Sequence, residues 1–89
     1  MIRRGVRFIG RVQGVGFRAT SKYVADGFDV SGWVRNVSDG SVAMEGLGAK
    51  DEVDAFLNAL HDRMKRNIES FQAMDMPPAD CERGFVIRR

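Results

Sequence analysis

Cysteine is nearly absent. Cys81 stands alone, so no intramolecular disulfide can form and nothing demands an oxidising compartment. Histidine is as scarce, with His61 the single example, and no His/Cys cluster at ligand spacing offers a metal site. No apolar run approaches the ~20 residues needed to cross a bilayer. Behind Met1 the chain runs Ile2-Arg3-Arg4-Gly5-Val6-Arg7 without an apolar segment, which argues against a signal peptide. In the absence of any address, the cytoplasm is the expected location. There is no internal repeat, linker or low-complexity stretch. Proline occurs only as Pro77-Pro78, which forbids regular structure from continuing through that point.

What remains is the composition of a folded domain. With 89 residues, 44% apolar and 29% charged, the chain has material for one modest core. Residues 1–89 are therefore expected to form a single domain, with any site assembled from a few loops. Net charge is +2, unevenly spread. Residues 1–48 carry seven Lys/Arg against four Asp/Glu, and residues 49–89 carry seven against eight. The N-terminal half offers the better field for an anion.

Residues 6–13 place Val6, Phe8 and Val12 at period two, which reads as a half-buried strand. Gly14-Val15-Gly16 breaks it. Phe17, Ser21, Val24 and Phe28 then follow helical spacing, predicting a helix from Phe17 to Asp26 with Gly27 as its cap. Val30–Val37 is a second strand, Ser38-Asp39-Gly40 a hairpin turn, and Ser41–Gly48 the returning strand. Lys50 to about Arg66 is a second helix with an apolar stripe of Val53, Phe56, Leu57, Leu60 and Met64. Residues 67–76 read as a strand of imperfect alternation, since Ile68 and Phe71 do not share a face unless a bulge intervenes. Phe85 and Ile87 suggest a short last strand. The order β-α-β-β-α-β is the α+β, split βαβ, ferredoxin-like pattern. Two helices are expected on one face of an antiparallel sheet, with a short fifth strand possible.

Two stretches carry chemistry. At Gln13-Gly14-Val15-Gly16-Phe17-Arg18, the glycines allow a turn that points several N–H groups into one concavity. The following helix adds its own unpaired N–H groups, and the Arg18 fork matches two phosphoryl oxygens. A plain glycine-rich turn with an exposed arginine fits the spacing equally well. It is neither a Walker loop nor a dinucleotide fingerprint, since the required Gly-Lys-Ser/Thr and third glycine are missing. The second stretch is Gly32-Trp33-Val34-Arg35-Asn36, followed by Asp39-Gly40. Asn36 either orients a water near the first loop or hydrogen-bonds its own turn; spacing alone favours the turn.

Gly10-Arg11-Val12-Gln13-Gly14-Val15-Gly16-Phe17-Arg18 closely resembles the first signature of the acylphosphatase family, and Gly32-Trp33-Val34-Arg35-Asn36 with Asp39-Gly40 resembles its second. The resemblance is strong from about Val6 to Gly48 and weaker beyond. It implies metal-independent hydrolysis of acyl phosphates to a carboxylate and inorganic phosphate. Backbone amides from Gln13, Gly14, Val15, Gly16, Phe17 and Arg18 would hold the phosphoryl group, the Arg18 side chain would clamp it, and Asn36 would position the water. It implies no cofactor, no metal and no covalent phosphoenzyme, with the proton passing to the substrate itself. The partner is then a small-molecule acyl phosphate, with no nucleic acid and no membrane, and the protein is expected to be a monomer.

The chain departs from the family after residue 60. Asp62-Arg63-Met64-Lys65-Arg66-Asn67-Ile68 stands where a Gly-Pro pair and an Ala-x-Val strand are usual, which leaves residues 61–84 open. An alternative is an acylphosphatase-like module that binds carbamoyl phosphate or another anion with little turnover. In the related domain of carbamoyl transferases, proline typically follows the signature arginine; here Ala19 does. An RNA-binding role, which the split βαβ plan also serves, lacks its aromatic motif. His61 is expected beside the apolar stripe and Cys81 in a loop, neither with a catalytic part. The sequence leaves open whether Trp33 lies on the open face of the sheet.

Overall fold

The computed structural model describes residues 1–79 and 83–89, so the expectation for Cys81 lies outside the described residues. In chain order the elements are β1 (Ile2–Gly10), α1 (Phe17–Ala25), β2 (Val30–Asn36), β3 (Val42–Gly48), α2 (Lys50–Met64), β4 (Ile68–Met76) and β5 (Phe85–Ile87). The strands form one sheet in the order β4-β1-β3-β2-β5. β3 lies antiparallel between β1 and β2, and β4 lies antiparallel on the far side of β1. The split βαβ plan therefore holds and the fifth strand is present. That strand runs parallel to β2, which makes the sheet mixed rather than antiparallel throughout.

β1 is shifted from its expected span of residues 6–13. Its start extends back to Ile2, because Ile2–Gly5 find partners on β3 from Gly48 to Glu45. It ends at Gly10, where φ is 137° and the Arg11 N–H is donated to the Asn67 carbonyl at 2.9 Å. Val12, expected as the next inward residue of the strand, leaves the ladder yet stays 1% exposed. Its side chain anchors the loop that follows.

One face of the sheet carries both helices. Val6 and Phe8 of β1, Val30 and Val34 of β2, and Val42 and Met44 of β3 are buried there. They meet Phe17, Ser21 and Ala25 of α1 and Val53, Phe56, Leu60 and Met64 of α2. Each helix buries positions three or four apart, as one face of a 3.6-residue period requires. Burying a large apolar side chain such as Phe56 or Leu60 stabilises by about 1.5–3 kcal/mol. Trp33 lies on the opposite, open face, where the Arg35 and Arg88 guanidinium carbons stand 5.5 and 5.0 Å from its ring.

The helix ends differ from expectation. Gly27 does not adopt the left-handed cap conformation. Instead the Gly27 and Phe28 N–H groups are donated to Val24 and Ala25 at 3.0 Å each. These tight turns occupy carbonyls that a left-handed cap would otherwise serve. α2 stops at Met64, two residues early, and the Asn67 N–H closes it on the Met64 carbonyl at 2.8 Å. The bulge in β4 is present: Ile9 faces Ser70 while Gly10 faces Ile68, so Glu69 is passed over. That extra residue brings Ile68 and Phe71 to the same face despite their odd spacing.

Candidate active site

The segment joining β1 to α1 is held at both ends and open between. Val12 and Phe17 are each 1% exposed, whereas Gly14, Val15 and Gly16 are exposed. Phe17 sits under the loop, its ring 5.0 Å from that of Phe8. Phe8 in turn lies 6.3 Å from Phe71, and Phe71 meets His61 edge-on at 5.6 Å. His61, half-buried against the apolar stripe as expected, closes this aromatic row. The Ser21 hydroxyl donates to the Phe17 carbonyl at 2.7 Å, which fixes the first turn of α1 from inside. Sequence reasoning missed the row because its members come from four elements.

Between the anchors, Gly14 and Gly16 have φ of 76° and 78°. This left-handed conformation is costly for other residues. Added Cβ atoms would meet nothing within 4 Å at either position, so the glycines are required by backbone shape and not by crowding. Gly16 is also the N-cap of α1 and makes no side-chain capping bond. Among the described residues, no backbone N–H from Gln13 to Arg18 donates to a protein acceptor. Arg18, half-buried in the first turn of α1, makes no ion pair with any described residue. Unpaired donors at a helix N-terminus beside a guanidinium form an arrangement that can accept an anion.

Asn36 closes β2 at the same end of the sheet. It faces Val42 across β3, and Val42 faces Phe8 of β1. Adjacent strands lie about 4.8 Å apart, so Asn36 stands roughly 10 Å from Phe8, on the helix-bearing face. Its Oδ1 is buried with no hydrogen-bond partner among the described residues. Leaving an acceptor so placed costs about 1–3 kcal/mol. The structure thus gives no support to the simpler reading, in which this oxygen would bond its own turn.

The turn is closed by other groups. The Gly40 N–H is donated to Val37 at 3.1 Å and the Val37 N–H to Ser41 at 2.9 Å, with Gly40 at φ 93°. Ser38 and Asp39 keep negative φ, so this is a three-residue loop ending in a left-handed glycine rather than a primed two-residue turn. Asp39 Oδ1 accepts from the Ser41 hydroxyl at 2.6 Å and the Ser41 N–H at 2.9 Å. Those two bonds, the hydroxyl first, hold the Asp39 carboxyl below its ordinary range, with attraction from Arg7 adding to them.

The Gln13 side chain supplies a link that the sequence did not reveal. Its Nε2 donates to the Val37 carbonyl at 2.7 Å and to the Ser41 carbonyl at 2.8 Å. The loop and the hairpin that follows Asn36 are therefore joined directly. Elsewhere, a concavity of about 1150 Å³ opens at the other end of the sheet beside Phe28, Val30, Gly48 and Phe85; none of the candidate residues lines it. Among the described residues, no group of three or more His, Cys, Asp or Glu is gathered to hold a metal, and no helix is long and apolar enough to cross a membrane.

A split βαβ domain with a glycine-rich strand-to-helix loop beside a hairpin asparagine is what the structure sets against known proteins. This chain is an enzyme of the acylphosphatase family: the family model described as Acylphosphatase matches residues 5–87. The acylphosphatase of Salinibacter ruber is 41% identical over 88 residues, spanning 98% of this chain and 93% of that protein. The crystal structure of acylphosphatase from Bacillus subtilis matches the whole of both chains with a TM-score of 0.89 at 26% identity. The crystal structure of HypF from T. kodakarensis matches 98% of this chain but 12% of its own length, with a TM-score of 0.82 at 25% identity.

Proposed function

We propose that this protein hydrolyses acyl phosphates to a carboxylate and inorganic phosphate, using the loop at residues 13–18, Arg18 and Asn36. The observation that carries the reading is the set of loop N–H groups without acceptors among the described residues, lying beside an Arg18 that makes no ion pair with any of them. Phosphoryl oxygens accept from those N–H groups, and the guanidinium binds two of them in a planar fork. Charge that develops on the phosphoryl group is met by donors already in place.

Asn36 holds the attacking water in line with the bond that breaks. Its buried Oδ1 has no donor among the described residues. A turn of the amide that brings Oδ1 to a water O–H removes the cost of that orphaned acceptor. Water oxygen bonds to phosphorus, the P–O bond to the acyl group breaks, and the carboxylate leaves with the bonding pair. The water proton passes to a phosphoryl oxygen of the substrate, so no protein base is consumed. A carboxylate is a good leaving group, and positioning with charge stabilisation carries the rate.

The test is hydrolysis of benzoyl phosphate in excess EDTA by wild type, Arg18→Gln and Asn36→Ala, with folding checked by circular dichroism. Turnover by wild type and a loss of at least about 10²-fold in each folded variant is the expected result, the scale seen when one oxyanion donor is removed. A folded but inert wild type overturns the hydrolytic reading. If inorganic phosphate still raised its melting temperature, a module that binds carbamoyl phosphate or another anion would take its place.

A further inference from the structure

Resting on that reading, we infer that Gln13 is a positioning residue: its side chain sets the distance between the phosphoryl loop and Asn36. An amide nitrogen has two hydrogens, and both are committed here, to Val37 at 2.7 Å and Ser41 at 2.8 Å. The reverse orientation would press Oε1 against two carbonyl oxygens at those distances, so the chemistry fixes which end faces the hairpin. The Nε2 group is therefore spent on the hairpin and is not available to the substrate. Each carbonyl already accepts one backbone bond, Val37 from Gly40 and Ser41 from Val37. With Gln13 added, both lone pairs of each oxygen are occupied and the turn is saturated. Asn36 immediately precedes Val37, so the clamped carbonyl belongs to the next residue along the chain.

The loop has no other side-chain bond to the hairpin among the described residues. Its own shape comes from Gly14, Gly16 and the buried flanks Val12 and Phe17. Two functions are thus separable. Loop shape governs phosphate binding, and the Gln13 bridge governs where the bound phosphorus stands relative to Asn36. Misplacing reacting groups by about 1 Å can cost 10²-fold in rate. Losing the bridge is therefore expected to lower kcat while leaving phosphate binding nearly intact.

Gln13→Met keeps length and volume but removes both donors. Its kcat is expected to fall by roughly 10–100-fold, with the inhibition constant of inorganic phosphate within about threefold of wild type. Gln13→Glu sets a carboxylate against two carbonyls at neutral pH. On protonation it regains one O–H donor, so its kcat relative to wild type rises as pH falls through the acid range. A role limited to folding would leave kcat per folded molecule unchanged in both variants at every pH. That result would overturn the inference, and whichever variant folds delivers it. A second readout does not need turnover: inorganic phosphate should shift the Asn36 side-chain amide signals in wild type and much less in Gln13→Met. Equal shifts in both overturn the inference even where wild type is active, and unequal shifts sustain it even where wild type is inert. No shift in wild type overturns it as well.

Discussion

Gly16 allows the loop geometry to be weighed by a single methyl group. Its φ of 78° and ψ of 18° lie in the left-handed region, and a Cβ there would meet nothing within 4 Å. Gly16→Ala therefore introduces no clash, and its cost is that of the backbone alone, about 1–2 kcal/mol. For a domain of this size each kcal/mol moves Tm by about 4–8 °C. A loop that keeps its shape should then lower Tm by roughly 4–16 °C. D-alanine at position 16 adds the same methyl group but favours positive φ. Restricting the unfolded chain without native strain stabilises by about 0.4–1 kcal/mol, so the D-form should melt at or above wild type. An 89-residue chain is within reach of chemical ligation, and both forms can be compared by calorimetry. The order in kcat/KM is expected to follow, with the L-form lowest because relief of strain moves the amides. If the two diastereomers melted together, the conformation ascribed to Gly16 would be wrong.

Phe17→Ala removes the ring that is 1% exposed beneath the loop; a loss of about 3–5 kcal/mol is expected, read by urea denaturation with an unchanged m-value. The acid limb of stability is also predictable in sign. Asp39 and Asp54 are held below their ordinary 3.8, the first chiefly by the Ser41 hydroxyl and the second by Lys50 and then Arg4. A lowered folded-state value means that the contribution is present above the ordinary carboxylate range and disappears as pH falls through the folded value. Tm should therefore drop below about pH 4, and Asp39→Asn should flatten that drop. Parallel acid limbs for the variant and wild type would refute the assignment.

Much of this architecture can be read from spacing. The helical spacing of Phe17, Ser21 and Val24 marks α1, the stripe of Val53, Phe56, Leu57, Leu60 and Met64 marks α2, and Val6 with Phe8 marks the inward face of β1, because short-range periodicity records which side of an element is buried. Even the conflict between Ile68 and Phe71 was informative: it was the trace of the bulge at Glu69. The features that escaped depend on partners distant in the chain. β1 reaches back to Ile2 because β3 supplies partners there, and β5 is parallel because of where it joins the sheet. Gly27 stands where the helical pattern ends and a left-handed cap is expected, while two tight backbone bonds perform that task. At the site, Gly14, Gly16, Arg18 and Asn36 were visible as residue types. The Gln13 bridge was not, since its acceptors are backbone carbonyls, which have no signature in sequence.

β5 has only three residues, yet it changes the status of β2. The Gly32 N–H donates to Gly84 at 3.0 Å and the Arg88 N–H to Val34 at 2.8 Å, on either side of the pairing between β2 and β5. Without these, β2 would be the sheet margin, with Asn36 at the end of a strand bonded on one side only. A bare margin also offers its free N–H and C=O groups to any other chain. Trimming the chain at Gly84 would thus do two kinds of harm at once, loosening the strand that carries Asn36 and opening a seam for self-association. The residues farthest along the chain from both motifs act as the hem of the sheet.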